Sequence, residues 1–466
     1  MYKSLFDSVS PERMVRAGII GTGHFATAIV TQSVSIPRLH IPVVADIDVQ
    51  AGVKAFKQAG IDDAEIAICE SSVDVREAWS KEQRIVIPDA SLLMDLEIDI
   101  VVESTGIPEA GARYGAEAIQ HGKHLAMVSK DVDIVVGPIL KQMADKAGVV
   151  YTQVDGDQHG LLVQLVEWAR ELGLEVISAG KFLEFDLIFD PASHTVSWGQ
   201  ASIEIESSQS PLFEPCLGAE LAERYQQRRT ALGSLGMHKG YDVVEMALAA
   251  NLADLQPDIP ALHGPPIRVN EIADLLCDEA RGGILQSTGV VDCVSCLRYP
   301  HEAAMGGGVF AVVDASSDYS RHILHTKGLP PNSFGNAGLI FKPYHLCGVE
   351  TAISLLSAVL LNQPTSGKNL EPVYDVVAEA RVDLNEGSLA GDDKGPDLKA
   401  LMIPAIGSQD EDLIPLHLAR GNPLKRSIEK GKPLRYQDIV PPEASKLWEL
   451  RTKQDALYSN AHSRNP

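Results

Sequence analysis

A glycine-rich turn near the amino end carries the clearest chemical signal. The apolar residues 15–20 lead directly into a Gly-x-Gly-x-x-Ala pattern over residues 21–26. The first glycine permits a tight turn, the second lets backbone N–H groups approach a phosphate, and the alanine lets the next helix pack closely on the strand. We therefore predict that the pyrophosphate of a dinucleotide binds at Gly21, Gly23, His24, Phe25 and Ala26.

A carboxylate ends the second apolar run, residues 41–46, at Asp46. In dinucleotide-binding folds an acid at about this place hydrogen-bonds the adenosine ribose. Asp46 would accept a hydrogen bond from a free 2′-hydroxyl but repel a 2′-phosphate, and residues 47–50 contain no arginine to compensate. The residues themselves therefore favour NAD over NADP.

Two further segments are expected at the carboxyl edge of the same sheet, where ligands of such folds bind. Lys130 follows the apolar run 124–128, and an ammonium group there can stabilise the oxygen that gains charge during hydride transfer. We predict that Lys130 is catalytic. The nicotinamide half of the cofactor is expected against Glu103, Ser104, Thr105, Gly106 and Ser129.

A polar loop follows the next apolar run, residues 148–151, and carries Asp155, Asp157 and Gln158. The two carboxylates alternate along the loop, so they are candidates for holding a divalent cation or orienting a substrate hydroxyl. An Asx-turn that caps the following helix explains the same residues. The prediction gives Asp155 and Asp157 catalytic roles and Gln158 a substrate contact, with the capping interpretation left open.

Lys181 is a second candidate for catalysis. It precedes Glu184 and Asp186, so it is expected to be a buried cation paired with carboxylates. A catalytic lysine and a structural ion pair account for this pattern equally well.

Three residues farther along the chain are candidates for contacts with the substrate. The basic groups of Arg281 and Lys342 would suit a phosphate. His345 lies at the junction with a helix, where a substrate contact and a structural role are both open. Which residues would bind a metal is not fixed by the sequence.

The alternation of apolar runs with helical stretches over residues 15–150 is typical of a doubly wound parallel sheet. We predict an α/β protein in three parts. An N-terminal Rossmann domain covers residues 1–151, a central α+β domain for substrate and oligomerisation covers 152–365, and a small β-rich module covers 366–466. Residues 338–365 are expected to pack back on the first domain.

The charge of the chain limits the classes of partner that the protein is expected to bind. The 466 residues include 40 Lys and Arg against 63 Asp and Glu, which gives a net charge of −23. Such a charge argues against nucleic acid or an anionic membrane as partner. No apolar stretch is long enough to span a bilayer, and the amino end shows no secretion signal. We expect a cytoplasmic homo-oligomer that binds a small-molecule substrate.

Residues 101–106 and 122–130 resemble the cofactor domain of homoserine dehydrogenases, in which a lysine matched by Lys130 contacts substrate and cofactor. The later segments, from Asp155 through residues 342–345, resemble homoserine dehydrogenase-like proteins with a SAF-type C-terminal domain. That group includes deoxyxylulose-phosphate reductoisomerase-like enzymes. The resemblance covers about residues 15–440. It implies NAD(P)H-dependent carbonyl reduction, a SAF-like C-terminal module and, for the reductoisomerase-like case, NADP and a divalent cation.

The leading hypothesis is an NAD(P)H-dependent oxidoreductase that reduces a small polar hydroxy-carbonyl compound, with a sugar phosphate as the case that the resemblance favours. Two alternatives remain: a homoserine dehydrogenase, and a regulatory protein that binds the cofactor without catalysis.

Overall fold

The structure is a computed structural model that describes residues 2–9, 12–236, 241–367 and 369–462. Its contacts divide the chain into two compact units. The first unit consists of Met1–Gly160, Leu346–Pro372 and Pro441–Pro466, and the second of Leu161–His345 and Val373–Val440. The three consecutive domains expected from the sequence are a different division, which stays a prediction.

The strands of the described residues are, in chain order, β1 (Val15–Ile20), β2 (Leu39–Ala45), β3 (Ile66–Ile68), β4 (Arg84–Ile87), β5 (Ile100–Glu103), β6 (His124–Met127), β7 (Tyr151–Gln153), β8 (Val176–Phe182), β9 (Leu187–Asp190), β10 (Thr195–Trp198), β11 (Ala201–Glu204), β12 (Gln256–Pro257), β13 (Pro266–Ile267), β14 (Val290–Arg298), β15 (Val309–Asp314), β16 (Ala337–Lys342), β17 (Tyr374–Ala380) and β18 (Leu398–Pro404). The α-helices are α1 (Tyr2–Val9), α2 (His24–Ser33), α3 (Val49–Gln58), α4 (Ser72–Ser80), α5 (Pro108–Gln120), α6 (Lys130–Ala147), α7 (Gln158–Glu171), α8 (Leu221–Ala231), α9 (Val243–Ala253), α10 (Ile272–Leu275), α11 (Asp318–Thr326), α12 (Thr351–Leu356), α13 (Ala405–Asp410), α14 (Leu416–Ala419) and α15 (Lys446–His462).

The first unit is built on a parallel sheet with the strand order β3-β4-β2-β1-β5-β6-β7. The order reverses beside β1, which pairs with β2 on one side and with β5 on the other. The apolar strands are buried because helices cover both faces of such a sheet. Leu355 of α12 belongs to the same core as Val15 and Val102. The prediction of a doubly wound parallel sheet is confirmed.

The second unit contains a mixed sheet and a separate hairpin. The sheet runs β11-β10-β9-β14-β8-β15-β16, with β12 and β13 also paired to β14. The hairpin joins β17 and β18 in antiparallel register. The α+β character predicted for the central part is therefore confirmed. Over the described residues, no helix combines the length and the apolar character that crossing a membrane would require.

The last helix, α15, belongs to the first unit. It supplies side-chain hydrogen bonds to α6 at the point where a proline interrupts the backbone hydrogen bonds of that helix. Pro138 lies inside α6 and cannot donate a backbone hydrogen bond. One residue later, the Ile139 N–H donates to Gln454 Oε1 at 3.1 Å, and Gln454 Nε2 donates to the Val135 carbonyl at 3.1 Å. The side-chain amide thus satisfies a backbone donor and a backbone acceptor of α6. The sequence did not predict this helix.

Replacing Gln454 by leucine should destabilise the first unit. The variant keeps the buried volume, but it leaves the Ile139 N–H without this acceptor and the Val135 carbonyl without this donor. Each such loss costs about 1–3 kcal/mol, so the free energy of unfolding should fall by about 2 kcal/mol or more. Urea unfolding measures the change. Gln120→Leu on the exposed end of α5 is the matched control, and equal stability of the two variants would contradict the bridging role.

Candidate functional site

The glycine turn after β1 accepts no side chain at its first position. Gly21 has a φ of +88°, and a Cβ there would lie 2.8 Å from the backbone of Ser104. The Gly21 N–H donates to the Ala45 carbonyl at 2.8 Å, which ties the turn to the end of β2. The predicted requirement for glycine therefore has a direct steric cause.

Helix α2 begins at this turn without a side-chain cap. Its N-cap is Gly23, which has no side chain to accept a hydrogen bond from the first turn. By contrast, Asp48 accepts from the Gln50 N–H at the start of α3, and Ser71 caps α4. A Cβ built on Gly23 would have no atom within 4 Å. Open space therefore lies beside Gly23 at the N-terminus of α2, and an uncapped helix N-terminus is the kind of site that binds an anion.

The three residues after Gly23 differ in how far their side chains are exposed to solvent. The side chain of His24 is exposed, Phe25 packs against the hydrophobic core, and Ala26 lies inside that core. Gly348, from the segment before α12, lies against this turn, since a Cβ on it would be 2.4 Å from the Phe25 carbonyl oxygen. His24 is therefore the side chain of this set that is open to a ligand, whereas Phe25 and Ala26 position the backbone.

Asp46 orders the glycine turn as well as ending β2. Its Oδ2 accepts from the Thr22 N–H at 2.7 Å and from the Thr22 hydroxyl at 2.6 Å, while Oδ1 accepts from the Asp48 N–H at 2.9 Å. A carboxylate oxygen accepts about two hydrogen bonds. These contacts occupy Oδ2 and leave acceptor capacity on Oδ1, to which a ribose hydroxyl can donate.

Two serines join the ends of β1, β5 and β6. The Ser104 hydroxyl donates to the Gly21 carbonyl at 2.8 Å, and the Ser129 hydroxyl accepts from the Gly106 N–H at 2.8 Å. Behind them, the carboxylate of Glu103 is fully buried and accepts from the Thr105 N–H and hydroxyl at 3.0 and 2.5 Å. Burial raises the pKa of Glu103. The structure thus brings the predicted nicotinamide-lining residues together at one sheet edge.

Lys130 is the first residue of α6, with Ser129 as its N-cap. A cation at a helix N-terminus is electrostatically unfavourable, so helix stability does not explain this lysine. The acids of the same turn are Asp131 and Asp133, and Asp133 is buried, accepting from Tyr151 and Gln153. Burial raises the pKa of Asp133 to about 6, although these hydrogen bonds lower it. Lys130 itself is half-buried at the carboxyl edge.

The loop after β7 lies at the same edge and is bound to the segment around α12. The Asp155 N–H donates to Ser354 Oγ at 2.8 Å, and its carbonyl accepts from the Thr351 hydroxyl at 2.7 Å. Asp157 Oδ1 accepts from the N–H of the buried Gln158 at 2.8 Å, at the start of α7. This contact reaches only the first residue of α7, whereas a capping side chain accepts from the second or third residue. Within the described ranges, no three His, Cys, Asp or Glu side chains are arranged to hold a metal ion.

A groove of about 750 Å³ extends from the glycine turn along α2 and α3. Besides residues 22–24, its walls include Thr27 and Thr31 of α2, Lys54 and Gln58 of α3, and Val349. Lys54 is a basic residue of this groove that was not among the predicted ligand contacts. Its position on α3, the helix that follows Asp46, could have identified it from the sequence as a residue near the ribose.

In the second unit, Lys181 is almost fully buried in an ion-paired cluster. Its Nζ lies 2.7 Å from Asp242 Oδ2 and also donates to Glu245 Oε2. The buried cation paired with carboxylates that the sequence predicted is therefore present, with Asp242 and Glu245 as partners, whereas the nearby Asp186 binds another cation. That carboxylate instead accepts from Arg298 Nε at 2.7 Å.

Three of the four residues expected to contact the substrate occupy different environments in the second unit. Arg281 forms ion pairs with Asp278 and Asp314 at 2.8 and 2.7 Å. The Lys342 ammonium lies 5.3 Å from the centre of the Tyr344 ring, and His345 Nδ1 is 2.6 Å from the Gly307 carbonyl oxygen. These contacts describe local structural roles, and the predicted substrate contacts stay predictions.

Comparison with solved structures finds low similarity. A biliverdin reductase from Synechocystis, crystallised with biliverdin and NADP+, is 20% identical with a TM-score of 0.23, covering 38% of this chain and 47% of that one. A myo-inositol dehydrogenase from Lactobacillus casei is 18% identical with a TM-score of 0.27, covering 38% and 48%. GenD2 from gentamicin A biosynthesis, in complex with NAD, is 12% identical with a TM-score of 0.33, covering 76% and 88%. The chain spans about half the length of the first of these structures.

A comparison with curated proteins finds no match. Residues 156–351 match a family model described as the catalytic domain of oxidoreductase DRL. The matched range begins in the loop after β7 and ends at the first residue of α12. In this central part, the chain is therefore similar to the catalytic domain of an oxidoreductase.

Proposed function

We propose that the protein is an NAD(P)H-dependent oxidoreductase that reduces a small polar hydroxy-carbonyl compound. The observation that carries this proposal is the uncapped start of α2, where Gly23 faces open space beside Asp46. Four features of a dinucleotide site support it together: a glycine turn, a helix N-terminus, an acid after the second strand, and a parallel sheet whose order reverses beside the turn.

Each group at the sheet edge has a proposed role in binding the cofactor or in catalysis. A bound nicotinamide would supply the hydride. Backbone N–H groups at Gly23 would bind the pyrophosphate, and Asp46 Oδ1 would accept from the ribose. Lys130 would stabilise the negative charge that develops on the substrate oxygen, and this interaction is stronger in the transition state than in the ground state.

A sugar phosphate is the substrate proposed within this class, on the resemblance to reductoisomerase-like proteins. Turnover of NADH and NADPH should be followed with a panel of sugar phosphates and with homoserine. Oxidation with a sugar phosphate supports the proposal, whereas activity with homoserine alone would select the dehydrogenase alternative. Cofactor binding without turnover of any compound would favour a regulatory protein. The same assay with a chelator tests the proposed divalent cation, for which Asp155 and Asp157 are the first candidate ligands.

The unmodified protein should bind NADH more tightly than NADPH. The 2′-phosphate of NADPH would replace a hydroxyl that donates to Asp46 by a group of the same charge as Asp46. The affinity difference should be about tenfold or more, and titration of nicotinamide fluorescence measures both dissociation constants. Tighter binding of NADPH would contradict this preference, and Lys54→Gln would then test whether Lys54 contacts the phosphate. Lys57→Gln, farther along α3, is the control.

A further inference from the structure

A second cavity, contained in the second unit, brings together basic side chains from three parts of the sequence. Its volume is about 430 Å³, within the range of small-molecule pockets. Arg229 comes from α8, Lys399 from β18, and Arg381 directly follows β17. In a chain with a net charge of −23, such a local concentration of cations calls for a negatively charged ligand.

Hydrogen bonds to backbone carbonyls fix the positions of two of the three cations, Arg381 and Arg229. Arg381 Nε donates to the Leu398 carbonyl at 2.8 Å, which holds this side chain across the β17–β18 hairpin. Arg229 donates to the His263 carbonyl and lies 5.4 Å from the centre of the Tyr225 ring. Its Nε is buried and has no hydrogen-bond partner in the described part of the chain. A buried guanidinium N–H without a partner is costly and is satisfied by a bound acceptor.

The cavity also contains acidic side chains, and Asp242 among them is held by an ion pair. Asp242 lines the cavity in a left-handed conformation, with a φ of +43°, which is a strained backbone for a residue other than glycine. The buried ammonium of Lys181 binds its carboxylate at 2.7 Å and so offsets its charge. Asp393 supplies a second carboxylate to the lining. The cavity thus combines three cations with an oriented hydrogen-bond acceptor.

We propose that this cavity binds a small hydroxylated molecule that bears a phosphate or carboxylate group. Arg229 and Arg381 bind the oxyanion through guanidinium groups that match its geometry, and Lys399 adds the charge of its ammonium group. Asp242 accepts a hydrogen bond from a ligand hydroxyl, and Lys181 acts as its positioning residue. The inference concerns the second unit alone, so it holds or fails independently of dinucleotide binding.

Binding of four probes to the full chain, without any nucleotide, tests the proposal. The probes are glycerol 3-phosphate, glycerate, inorganic phosphate and glycerol, measured by calorimetry. We expect binding of the charged probes and none of glycerol, and comparison of glycerol 3-phosphate with glycerate distinguishes a phosphate site from a carboxylate site. Absence of binding for all charged probes would overturn the proposal.

Variants assign the binding to the cavity. Arg229→Gln and Lys399→Gln should weaken binding of the charged probe that binds best by about tenfold or more, the effect of one lost charge-assisted hydrogen bond. Lys399→Arg should retain it. Arg76→Gln and Lys425→Gln remove exposed charges outside the cavity and should have no effect. Equal weakening in these controls, or unchanged binding in the cavity variants, would overturn the proposal.

A further variant tests the acceptor separately from the cations. Asp242→Asn keeps a residue that tolerates the left-handed conformation, and it removes a negative charge from the cavity. Affinity for inorganic phosphate should stay the same or rise, whereas the preference for glycerol 3-phosphate over inorganic phosphate should fall. An unchanged preference would show that Asp242 does not contact the ligand hydroxyl.

Discussion

Gly23→Val should abolish dinucleotide binding while leaving the protein folded. A Cβ on Gly23 meets no protein atom within 4 Å, so the valine side chain would occupy only the space in which the pyrophosphate is expected. Separation of the phosphate from the first-turn N–H groups would remove at least two charge-assisted hydrogen bonds. The affinity for NADH and NADPH should therefore fall by about 100-fold or more.

The choice of glycine makes this experiment selective. A substitution at Gly21 would place its Cβ 2.8 Å from the Ser104 backbone and would disturb the fold itself. Gly391 offers a matched control, because a Cβ there also has open space and its φ is not positive. Gly391→Val should bind both cofactors normally. If a folded Gly23→Val protein kept its affinity for NAD(P)H, the proposed dinucleotide site would be wrong.

The first sheet was largely predictable because its strands are short apolar runs separated by helices. Buried parallel strands need apolar side chains on both faces, which gives a signal that a single sequence carries. The edge strand β3 was missed, since it has three residues and its burial is incomplete. The helix α15 was missed for another reason. Its buried contacts include Gln454, a polar residue whose role depends on an interruption in a distant helix.

The same distinction applies to the candidate site. Some of its features depend on residues that are adjacent in the sequence, and others depend on residues that are far apart. The glycine turn is one contiguous motif, so its steric requirement could be derived from residue types alone. The partners of Lys181 could not, because Asp242 and Glu245 lie 61 and 64 residues away in the chain. A nearby carboxylate such as Asp186 is the natural guess from sequence. The packing of α9 against the central sheet, which brings the true partners close, has no local signature.

Lys130→Ala should depress kcat strongly with the substrate that the panel assay identifies. Reduction of a carbonyl builds negative charge on its oxygen, and an ammonium group held at the sheet edge stabilises that charge. Loss of such a group costs about 100-fold or more in kcat. Lys130→Arg should restore little, because the planar guanidinium places its charge differently.

Stability and cofactor affinity distinguish catalysis by Lys130 from a structural role. Because a positive charge at the N-terminal position of α6 opposes the helix dipole, a fall in kcat without a fall in Tm would separate catalysis from a structural role. The dissociation constant for NADH should also stay near that of the unmodified protein. Lys146→Ala, at the exposed carboxyl end of the same helix, controls for loss of a lysine and should keep full activity. A near-normal kcat in Lys130→Ala would remove this residue from the proposed mechanism and move the role to another cation, with Lys181 and Lys342 the next to test.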